Sequence, residues 1–362
     1  PVHPMTHFLR DILRQPNELQ RTIDFLLGAG RPSLDAATTA IRSARHVYLT
    51  GIGSSWHAAL TAGPLFHLGA HPVYMQDAAE LLQFATIPPD STMIAISRSG
   101  RSVEIVNLLV KVRNSGVTVI GITNSNDGPL AKEAQISIVV PIEMDHAISV
   151  NTYSTLAATV GILASAVVGS WSATLATSLS RVVERTASAI PVWQAQIADT
   201  PWLASGAVFY FLGRGSSLGS CQEARLLWEE GLKSPATAMG TGSFRHGPQE
   251  MVNKDVRFGI WIDGERMRRQ DLAVARDLRQ LGASVMLIGR DLPQDAGNLV
   301  FQLPAAPPDW QYLIDIIPAQ LAAERLAQLS GVDCDSFRYS SFIVEDDYGL
   351  LREEAGAPKD EK

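Results

Sequence analysis

Residues 97–102 combine small hydroxyl side chains with a glycine, in the order Ser-Arg-Ser-Gly-Arg-Ser. They follow an apolar run typical of a buried strand and precede a helical pattern. Backbone N–H groups and the positive end of the helix dipole converge at such a turn, where they suit a phosphate monoester. A second turn with two hydroxyls, Gly-Ile-Gly-Ser-Ser at 51–55, follows a neighbouring apolar run. The residues predicted to contact the phosphate are Ser54, Ser55, Ser97, Arg98, Ser99 and Ser102.

Other interpretations of these turns are weaker. For a single serine a helix N-cap is the more typical role, so the phosphate site rests on two hydroxyl-rich turns on adjacent strands. A dinucleotide site is disfavoured because Trp56 and Leu218 stand where the third glycine of the Gly-x-Gly-x-x-Gly fingerprint belongs. The Gly-Lys-Ser/Thr pattern of a P-loop is also missing from the sequence. We therefore expect no nicotinamide cofactor and no ATP hydrolysis.

Acid–base groups occur in the second half of the chain. Glu223 and Glu230 are seven residues apart on a predicted helix and therefore share one face. A carboxylate that faces a sugar is a suitable base for moving a proton between C1 and C2. Spacing alone nevertheless favours a solvated acidic face. His246 precedes Gly-Pro, so we expect a rigid turn to hold it. One role that this position leaves open is the transfer of a proton to the ring oxygen of a sugar.

The remaining histidines show no metal-binding pattern. His57, His67 and His71 have no His or Glu partners at the intervals of known metal motifs. We predict no metal and no cofactor.

Composition narrows the class of protein further. The chain has 362 residues, a length typical of two domains, and its net charge of −7 argues against nucleic acid as the partner. Cys221 and Cys334 are too few for a disulfide framework and fit a reduced, cytoplasmic protein without a secretion signal. The most apolar stretch, 156–173, is interrupted by serines and glycines. We read it as a buried helix and expect no membrane contact.

Apolar runs alternate with helical patterns along the whole chain, which indicates parallel sheets covered by helices on both faces. The alternation restarts after residue 200, where Gly-Arg-Gly-Ser-Ser at 213–217 repeats the turn at 51–55. The two halves therefore resemble a diverged duplication. The counterpart of the 97–102 loop, Ile-Asp-Gly-Glu at 262–265, has no hydroxyl side chains. We predict one phosphate loop of this kind, not two.

Several motifs in this order resemble the sugar isomerase (SIS) domain family. They are Gly-x-Gly-Ser-Ser at 51–55, Ile-Ser-x-Ser-Gly-x-Ser at 96–102, Gly-Arg-Gly at 213–215, the glutamate-bearing helix around 223–230 and Arg-His-Gly-Pro at 245–248. The resemblance covers nearly the whole chain. The order of these motifs is similar to that in the isomerase half of glutamine–fructose-6-phosphate amidotransferase. It implies two tandem SIS domains.

The resemblance also implies roles for individual residues. Glu230 matches the base that transfers the C1/C2 proton, Glu223 a supporting carboxylate and His246 the ring-opening histidine. Ser149 matches a further substrate contact. In this family the histidine can come from the neighbouring subunit, which implies a homodimer with a shared active site. The family's phosphate positions fall on Ser55, Ser97, Ser99 and Ser102.

The sequence also departs from the amidotransferase pattern. Leu227 replaces a lysine on the glutamate helix, and Phe342 aligns with the lysine that holds the open-chain sugar as a Schiff base. Arg98 stands where the amidotransferase pattern has a glutamine. Arg98 and the stretch Phe-Arg-His-Gly-Pro at 244–248 together resemble the amino-sugar-phosphate deaminase and ketosamine-phosphate deglycase branches of the family. The sequence starts at the isomerase part, so we expect no glutamine hydrolysis.

We predict an α/β protein with two parallel, flavodoxin-like sheets flanked by helices. The predicted segments are an N-terminal helical segment at 1–34, a phosphate-binding SIS domain at 35–195, a second SIS domain with the catalytic Glu and His at 196–345, and a tail at 346–362. The predicted activity is a phosphosugar isomerase/deaminase that converts an amino-hexose phosphate, such as glucosamine 6-phosphate, to a ketose phosphate and ammonia. The alternatives are an aminotransferase-like enzyme without a glutaminase domain, a simple aldose–ketose isomerase, and a non-catalytic sugar-phosphate sensor.

Overall fold

The computed structural model describes residues 5–339, 342–347 and 349–350. Within them the chain forms an α/β fold with two parallel five-stranded sheets, as the sequence predicts. Most of the predicted tail, 346–362, lies outside the described residues.

The two sheets share one topology. The first sheet contains β1 His46–Thr50, β2 Tyr74–Met75, β3 Ser91–Ile96, β4 Thr118–Thr123 and β5 Ile136–Val139, in the order β2-β1-β3-β4-β5. The second contains β6 Val208–Gly213, β7 Ala236–Gly240, β8 Val256–Trp261, β9 Ser284–Gly289 and β10 Leu299–Gln302, in the order β7-β6-β8-β9-β10. Because the first strand of each sheet has the second on one side and the third on the other, each sheet has a switch point between its first and third strands.

Helices cover both sheets. They are α1 His7–Leu27, α2 Arg31–Ser43, α3 Ser54–Leu68, α4 Ala78–Phe84, α5 Val103–Val112, α6 Pro129–Glu133, α7 Asn151–Val167, α8 Ala173–Ile197, α9 Ser217–Leu232, α10 Thr241–Phe244, α11 Arg268–Gln280 and α12 Ile317–Ser330. Short 3₁₀ turns occur at Pro248–Met251 and Gln311–Leu313.

The contact between α3 and α9 joins the two halves. Gly219 of α9 lies so close to α3 that a Cβ atom there would meet the carbonyl oxygen of His57 at 2.5 Å. The glycine therefore permits this approach. α7 also packs against α3 and is buried along almost its whole length. These contacts fix α3 against α9, and both helices begin at the carboxyl ends of strands.

Two predicted elements differ in the structure. The long helical pattern over 149–193 is two helices, because the chain turns at 168–172, where Gly169 has a positive φ of 81°. The apolar stretch at 156–173 is the buried α7, but this helix ends at Val167.

β7 was not predicted from the sequence, because its residues are half-buried and do not form an apolar run. All strands of the first sheet precede residue 195, and all strands of the second sheet follow it. The predicted boundaries of the two domains, 35–195 and 196–345, remain a proposal.

Candidate active site

The candidate site lies at the switch point of the first sheet. β1 and β3 are hydrogen-bonded neighbours, and their carboxyl ends lead into the turn at 51–53 and the loop at 97–102. Ligands of open α/β sheets bind in the crevice at this position. The loop leads directly into α5 and the turn into α3, so two helix N-termini converge on the same crevice.

Hydrogen bonds within the loop set its shape. The Ser97 hydroxyl accepts a bond from the Gly100 N–H at 3.1 Å, and the Ser99 hydroxyl accepts one from the Arg101 N–H at 3.2 Å. Gly100 has a positive φ of 65°, a conformation that glycine adopts without strain. Ser97 is 1% exposed and does not line the cavity, so its contribution is to hold the loop. Ser99 lines the cavity and keeps its own O–H proton to donate.

Two further serines present hydroxyl groups to the cavity. Ser102 occupies the N-cap position of α5, yet its side chain makes no capping hydrogen bond. Ser55, in the first turn of α3, also makes no side-chain hydrogen bond to a described residue, and both serines line the cavity. The N-cap interpretation therefore leaves the hydroxyl of Ser102 unexplained. Both hydroxyls can donate to an anion.

Ser54 lines the same cavity, but its hydroxyl has a protein partner. It donates to Oε1 of Glu223 at 2.9 Å, and Nδ1 of His57 lies 2.7 Å from Oε2 of the same carboxylate. Glu223 and His57 are buried at the contact between α9 and α3. Glu223 therefore lies beneath the cavity and not on its wall. Sequence reasoning gave His57 no role, because its partner is distant in the chain.

Arg98 connects the loop to two other segments. Its Nη1 donates to the hydroxyl of Ser149 at 3.1 Å and to the carbonyl of Ala147 at 3.2 Å. Its Nη2 donates to the carbonyl of Phe342 at 2.6 Å. The carbonyl of Val344 in turn accepts the N–H of Val103, in the first turn of α5, at 3.0 Å. The chain around 342–344 thus lies over the loop, a contact that the sequence pattern does not reveal.

Glu230 is a largely buried carboxyl group on the cavity wall. Burial, together with the negative charge of Glu223, raises the pKa of Glu230 from 4.5 to about 7, while Arg98 and Lys233 oppose the rise. A base with a pKa near the working pH is the most effective in proton transfer. Glu230 lies two turns after Glu223 on α9, so the bonds of Glu223 to α3 also hold Glu230 in position.

Together these groups enclose a cavity of about 230 Å³. Its wall includes the predicted residues Ser54, Ser55, Arg98, Ser99, Ser102, Ser149 and Glu230. Sequence reasoning missed the apolar cover formed by Phe337 and Val344, and it missed Glu104 in the first turn of α5. Phe342 also lines the cavity, and its phenyl group cannot form the imine that a lysine forms.

His246 lies elsewhere. It follows α10 beyond the edge strand β7, its side chain is exposed, and it does not line the cavity. The described residues of one subunit therefore do not bring His246 to Glu230. A neighbouring subunit would have to deliver it, as the resemblance implies, and this remains a prediction.

No group of three or more His, Cys, Asp or Glu side chains among the described residues is arranged to hold a metal ion. None of the helices in this part of the chain combines the length and hydropathy that a bilayer span needs.

Residues 40–168 match the model of the SIS domain. The glutamine–fructose-6-phosphate aminotransferase [isomerizing] of Pyrococcus horikoshii is 24% identical over 339 residues, which are 91% of this chain and 56% of that protein. The chain thus spans about half the length of the aminotransferases that it matches.

Solved structures show the same fold. The C-terminal domain of glucosamine-fructose-6-phosphate aminotransferase from Francisella tularensis aligns with a TM-score of 0.81 at 20% identity, over 92% of this chain and 98% of that one. Glucosamine-6-phosphate deaminase from Thermotoga maritima aligns with a TM-score of 0.79 at 22% identity, over 94% of this chain and 99% of that one.

Proposed function

We propose that this chain, which carries an SIS domain over residues 40–168, converts an amino-hexose phosphate to a ketose phosphate and ammonia. The observation that carries the proposal is that Glu230, with a pKa of about 7, shares one cavity with the free hydroxyls of Ser55 and Ser102. The hydroxyls suit a phosphate, and the carboxylate of Glu230 suits a base. Glucosamine 6-phosphate is the substrate that we propose.

The phosphate would bind at the loop. Hydroxyl protons of Ser55, Ser99 and Ser102 would donate to its oxygens, and the N-terminus of α5 favours its negative charge. The phosphate is remote from the reacting carbons, so its binding free energy can hold C1 and C2 at Glu230. Arg98 would support this end through its bond to Ser149 and its positive charge.

Proton transfer would follow ring opening. The Glu230 carboxylate removes the proton from C2 of the open-chain aminoaldose, and the C1 oxygen takes up a proton from water, which leaves an enolamine across C1 and C2. Glu230 returns its proton to C1, and the nitrogen gives up one proton to water, so the product is an imine at C2. Water adds to this imine, ammonia leaves, and fructose 6-phosphate remains. Water supplies the new carbonyl oxygen, so the step needs no oxidant or metal.

His246 would open the ring as the neighbouring subunit's contribution to this cavity. Its exposed position in one subunit is compatible with such sharing. The proposal therefore includes a homodimer, with the sugar phosphate as the small-molecule partner.

A simple aldose–ketose isomerase is the second candidate. It needs the same phosphate site and the same single base, and it differs only in the absence of an amino group to release. Phe342, on the cavity wall, disfavours the aminotransferase alternative because that chemistry uses a lysine at the aligned position.

The test is to incubate the purified protein with glucosamine 6-phosphate and measure fructose 6-phosphate and ammonia together. Equal amounts of the two products support the deaminase. Conversion of glucose 6-phosphate to fructose 6-phosphate, with no ammonia from the amino sugar, would support the isomerase. No turnover of either sugar would contradict both.

A further inference from the structure

Lys233 ends α9 in a backbone conformation that usually belongs to glycine. It occupies the C-cap position of the helix with a positive φ of 56°, in the left-handed region. A side chain strains the backbone in this region, and glycine is the residue most often found there at the end of a helix. Local strain of this kind is common where a side chain has a function. The side chain of Lys233 is what a glycine at this position would lack.

The ammonium group of Lys233 joins α9 to the segment that follows α12. It donates to the carbonyl of Glu230, three residues earlier in α9, and to the carbonyl of Ser336 at 2.7 Å. Nζ also lies 5.9 Å from the centre of the Phe337 ring, within the range of a cation–π contact. Both oxygen acceptors are uncharged carbonyl groups, so neither bond neutralises the charge of the ammonium group.

The segment that Lys233 holds carries the aromatic cover of the candidate active site. Phe337 lines the cavity, and so does Phe342. The two rings pack edge to face, with their centres 5.4 Å apart. Glu230 lines the same cavity, whereas Lys233 itself does not. Lys233 therefore acts on the cavity through the aromatic cover and through Glu230, without touching a ligand there.

A second anchor fixes the same segment to α1. The two carboxylate oxygens of Asp335 accept the backbone N–H groups of His7 and Phe8, in the first turn of α1, each at 2.8 Å. This anchor holds the chain just before Ser336. The bond from Lys233 then attaches the chain to α9. Loss of the Lys233 side chain should therefore release the aromatic cover from α9 while the anchor on α1 remains.

The ammonium group also acts on Glu230 through its charge. Burial and the negative charge of Glu223 raise the pKa of Glu230 to about 7. Glu229 adds to the rise, while Arg98 and Lys233 oppose it. Because a nearby positive charge favours the ionised form of a carboxyl group, loss of Lys233 should move the titration of Glu230 to higher pH.

Other charged groups surround this pair. Burial lowers the pKa of Lys233, and the positive charge of Arg338 adds to the fall. The negative charges of Asp333 and Glu230 oppose it. On the cavity wall itself, Glu104 of α5 is a further carboxylate. A substitution at Lys233 leaves all of these groups in the chain, so its effect on Glu230 can be measured against them.

We propose that Lys233 is a positioning residue of the candidate active site, which holds Phe337 against α9 and so keeps the aromatic cover beside Glu230. The inference rests on the proposed function, because Glu230 acts as a base only if the cavity turns over a sugar phosphate. It adds to that function a residue outside the cavity wall, on which both the fit of the sugar phosphate and the charge state of the base depend.

The test compares three substitutions of Lys233 in the full chain. Lys233→Gly removes the side chain and suits the left-handed backbone, so it does not weaken the end of α9. Lys233→Met removes the charge and the donors but keeps most of the length, whereas Lys233→Arg keeps the charge and the donors. Lys254→Met is the matched control. Lys254 is exposed and precedes β8, at the edge of the second sheet opposite the carboxyl ends of its strands.

Two readouts report on the cover and on the base. Isothermal titration with fructose 6-phosphate measures the fit of the ligand, and the pH profile of glucosamine 6-phosphate turnover measures the titration of Glu230. We expect Lys233→Gly and Lys233→Met to weaken binding about tenfold, the effect of losing a hydrogen bond to a charged group, and to shift the rise of kcat to higher pH. Lys233→Arg should recover the affinity and the pH profile, and Lys254→Met should change neither.

A role as a helix cap alone predicts a different result, because glycine would then serve at least as well as lysine. Wild-type affinity in Lys233→Gly would therefore overturn the positioning role, and so would equal losses in Lys254→Met. An unshifted pH profile in Lys233→Met would overturn the effect on the base. If the wild-type protein turns over neither sugar, the proposed function fails, but the titrations still test whether Lys233 holds the cover. No binding of fructose 6-phosphate to the wild-type protein would overturn both.

Discussion

Nδ1 of His57 lies 2.7 Å from Oε2 of Glu223, and this buried pair joins the first half of the chain to the second. His57 is in α3, which begins directly after the turn at 51–53, and Glu223 is in α9, which carries Glu230. The pair therefore holds the start of α3, with Ser54 and Ser55, in a fixed position relative to Glu230.

Loss of this pair should reduce both stability and turnover. We expect His57→Ala to lower the free energy of unfolding by about 2–3 kcal/mol, because it leaves a buried carboxylate oxygen without its partner. The value of kcat should fall more than KM changes, because Glu230 loses its support while the phosphate site stays. His57→Asn, which keeps a donor near the position of Nδ1, should recover much of both. Urea unfolding and steady-state kinetics measure these effects, and full activity in His57→Ala would refute the positioning role.

Glu230→Gln should abolish turnover and leave sugar-phosphate binding nearly intact. The amide keeps the size of the side chain but cannot accept the C2 proton, so we expect kcat to fall at least about a thousandfold. The matched control is Glu229→Gln, which changes the adjacent carboxylate, paired with Arg225 at 2.7 Å on the helix surface. Kinetics and isothermal titration with fructose 6-phosphate give the two readouts. Equal losses in the two variants would contradict a specific role for Glu230.

The pH dependence should follow the carboxyl group of Glu230. Burial raises its pKa to about 7, so the carboxylate that acts as base is formed as the pH rises through 7. We expect kcat to increase about tenfold per unit below pH 7 and to level off above it.

The same titration affects stability with the opposite sign. The pKa is higher in the folded chain than the ordinary 4.5, so the folded state holds the proton more tightly. The stability that this group contributes is fully present below pH 4.5 and is lost as the pH rises to about 7 and above, by roughly 3 kcal/mol in total. Glu230→Gln should lack this loss. A wild-type stability that rises relative to Glu230→Gln between pH 5 and 7 would show that the pKa is not raised.

Two serines of the loop should behave differently on replacement by alanine. Ser102→Ala removes a hydroxyl with no capping bond, so we expect KM to rise about tenfold with little change in melting temperature. Ser97→Ala removes the acceptor of the Gly100 N–H, so we expect a loss of about 1–3 kcal/mol of stability. Thermal unfolding and kinetics of both variants distinguish the roles. A reversed pattern would mean that the hydroxyl of Ser97 is the phosphate contact.

The shared active site predicts complementation between inactive variants. His246→Ala and Glu230→Gln should each be inactive alone. If each site combines Glu230 of one subunit with His246 of the other, mixed dimers hold one intact site. Refolding an equal mixture should then recover about a quarter of wild-type activity, the share expected for random pairing in a two-fold dimer. No recovery in mixtures with demonstrated subunit exchange would contradict sharing.

The sequence predicted the sheets and most of the polar residues that line the cavity, because both depend on local pattern. Continuous apolar runs such as β3 mark buried strands, and the residues that follow such strands meet at one sheet edge. The bond between Glu223 and His57 joins residues 166 positions apart, so no local pattern reveals it. The sequence did not predict β7, because its residues do not form the apolar run that is typical of a buried strand. Ser97 and Ser102 are alike in sequence, and only the hydrogen bonds of the loop distinguish them.

We propose that Glu230 moves the proton at C2 of a sugar phosphate that the loop at 97–102 holds. The most direct measurement is to follow glucosamine 6-phosphate in D₂O by NMR with the wild-type protein and Glu230→Gln. We predict that the wild-type protein places deuterium at C1 of the fructose 6-phosphate that it forms, and that Glu230→Gln forms no labelled product while still binding the sugar. Deuterium incorporation by Glu230→Gln at the wild-type rate would contradict the claim.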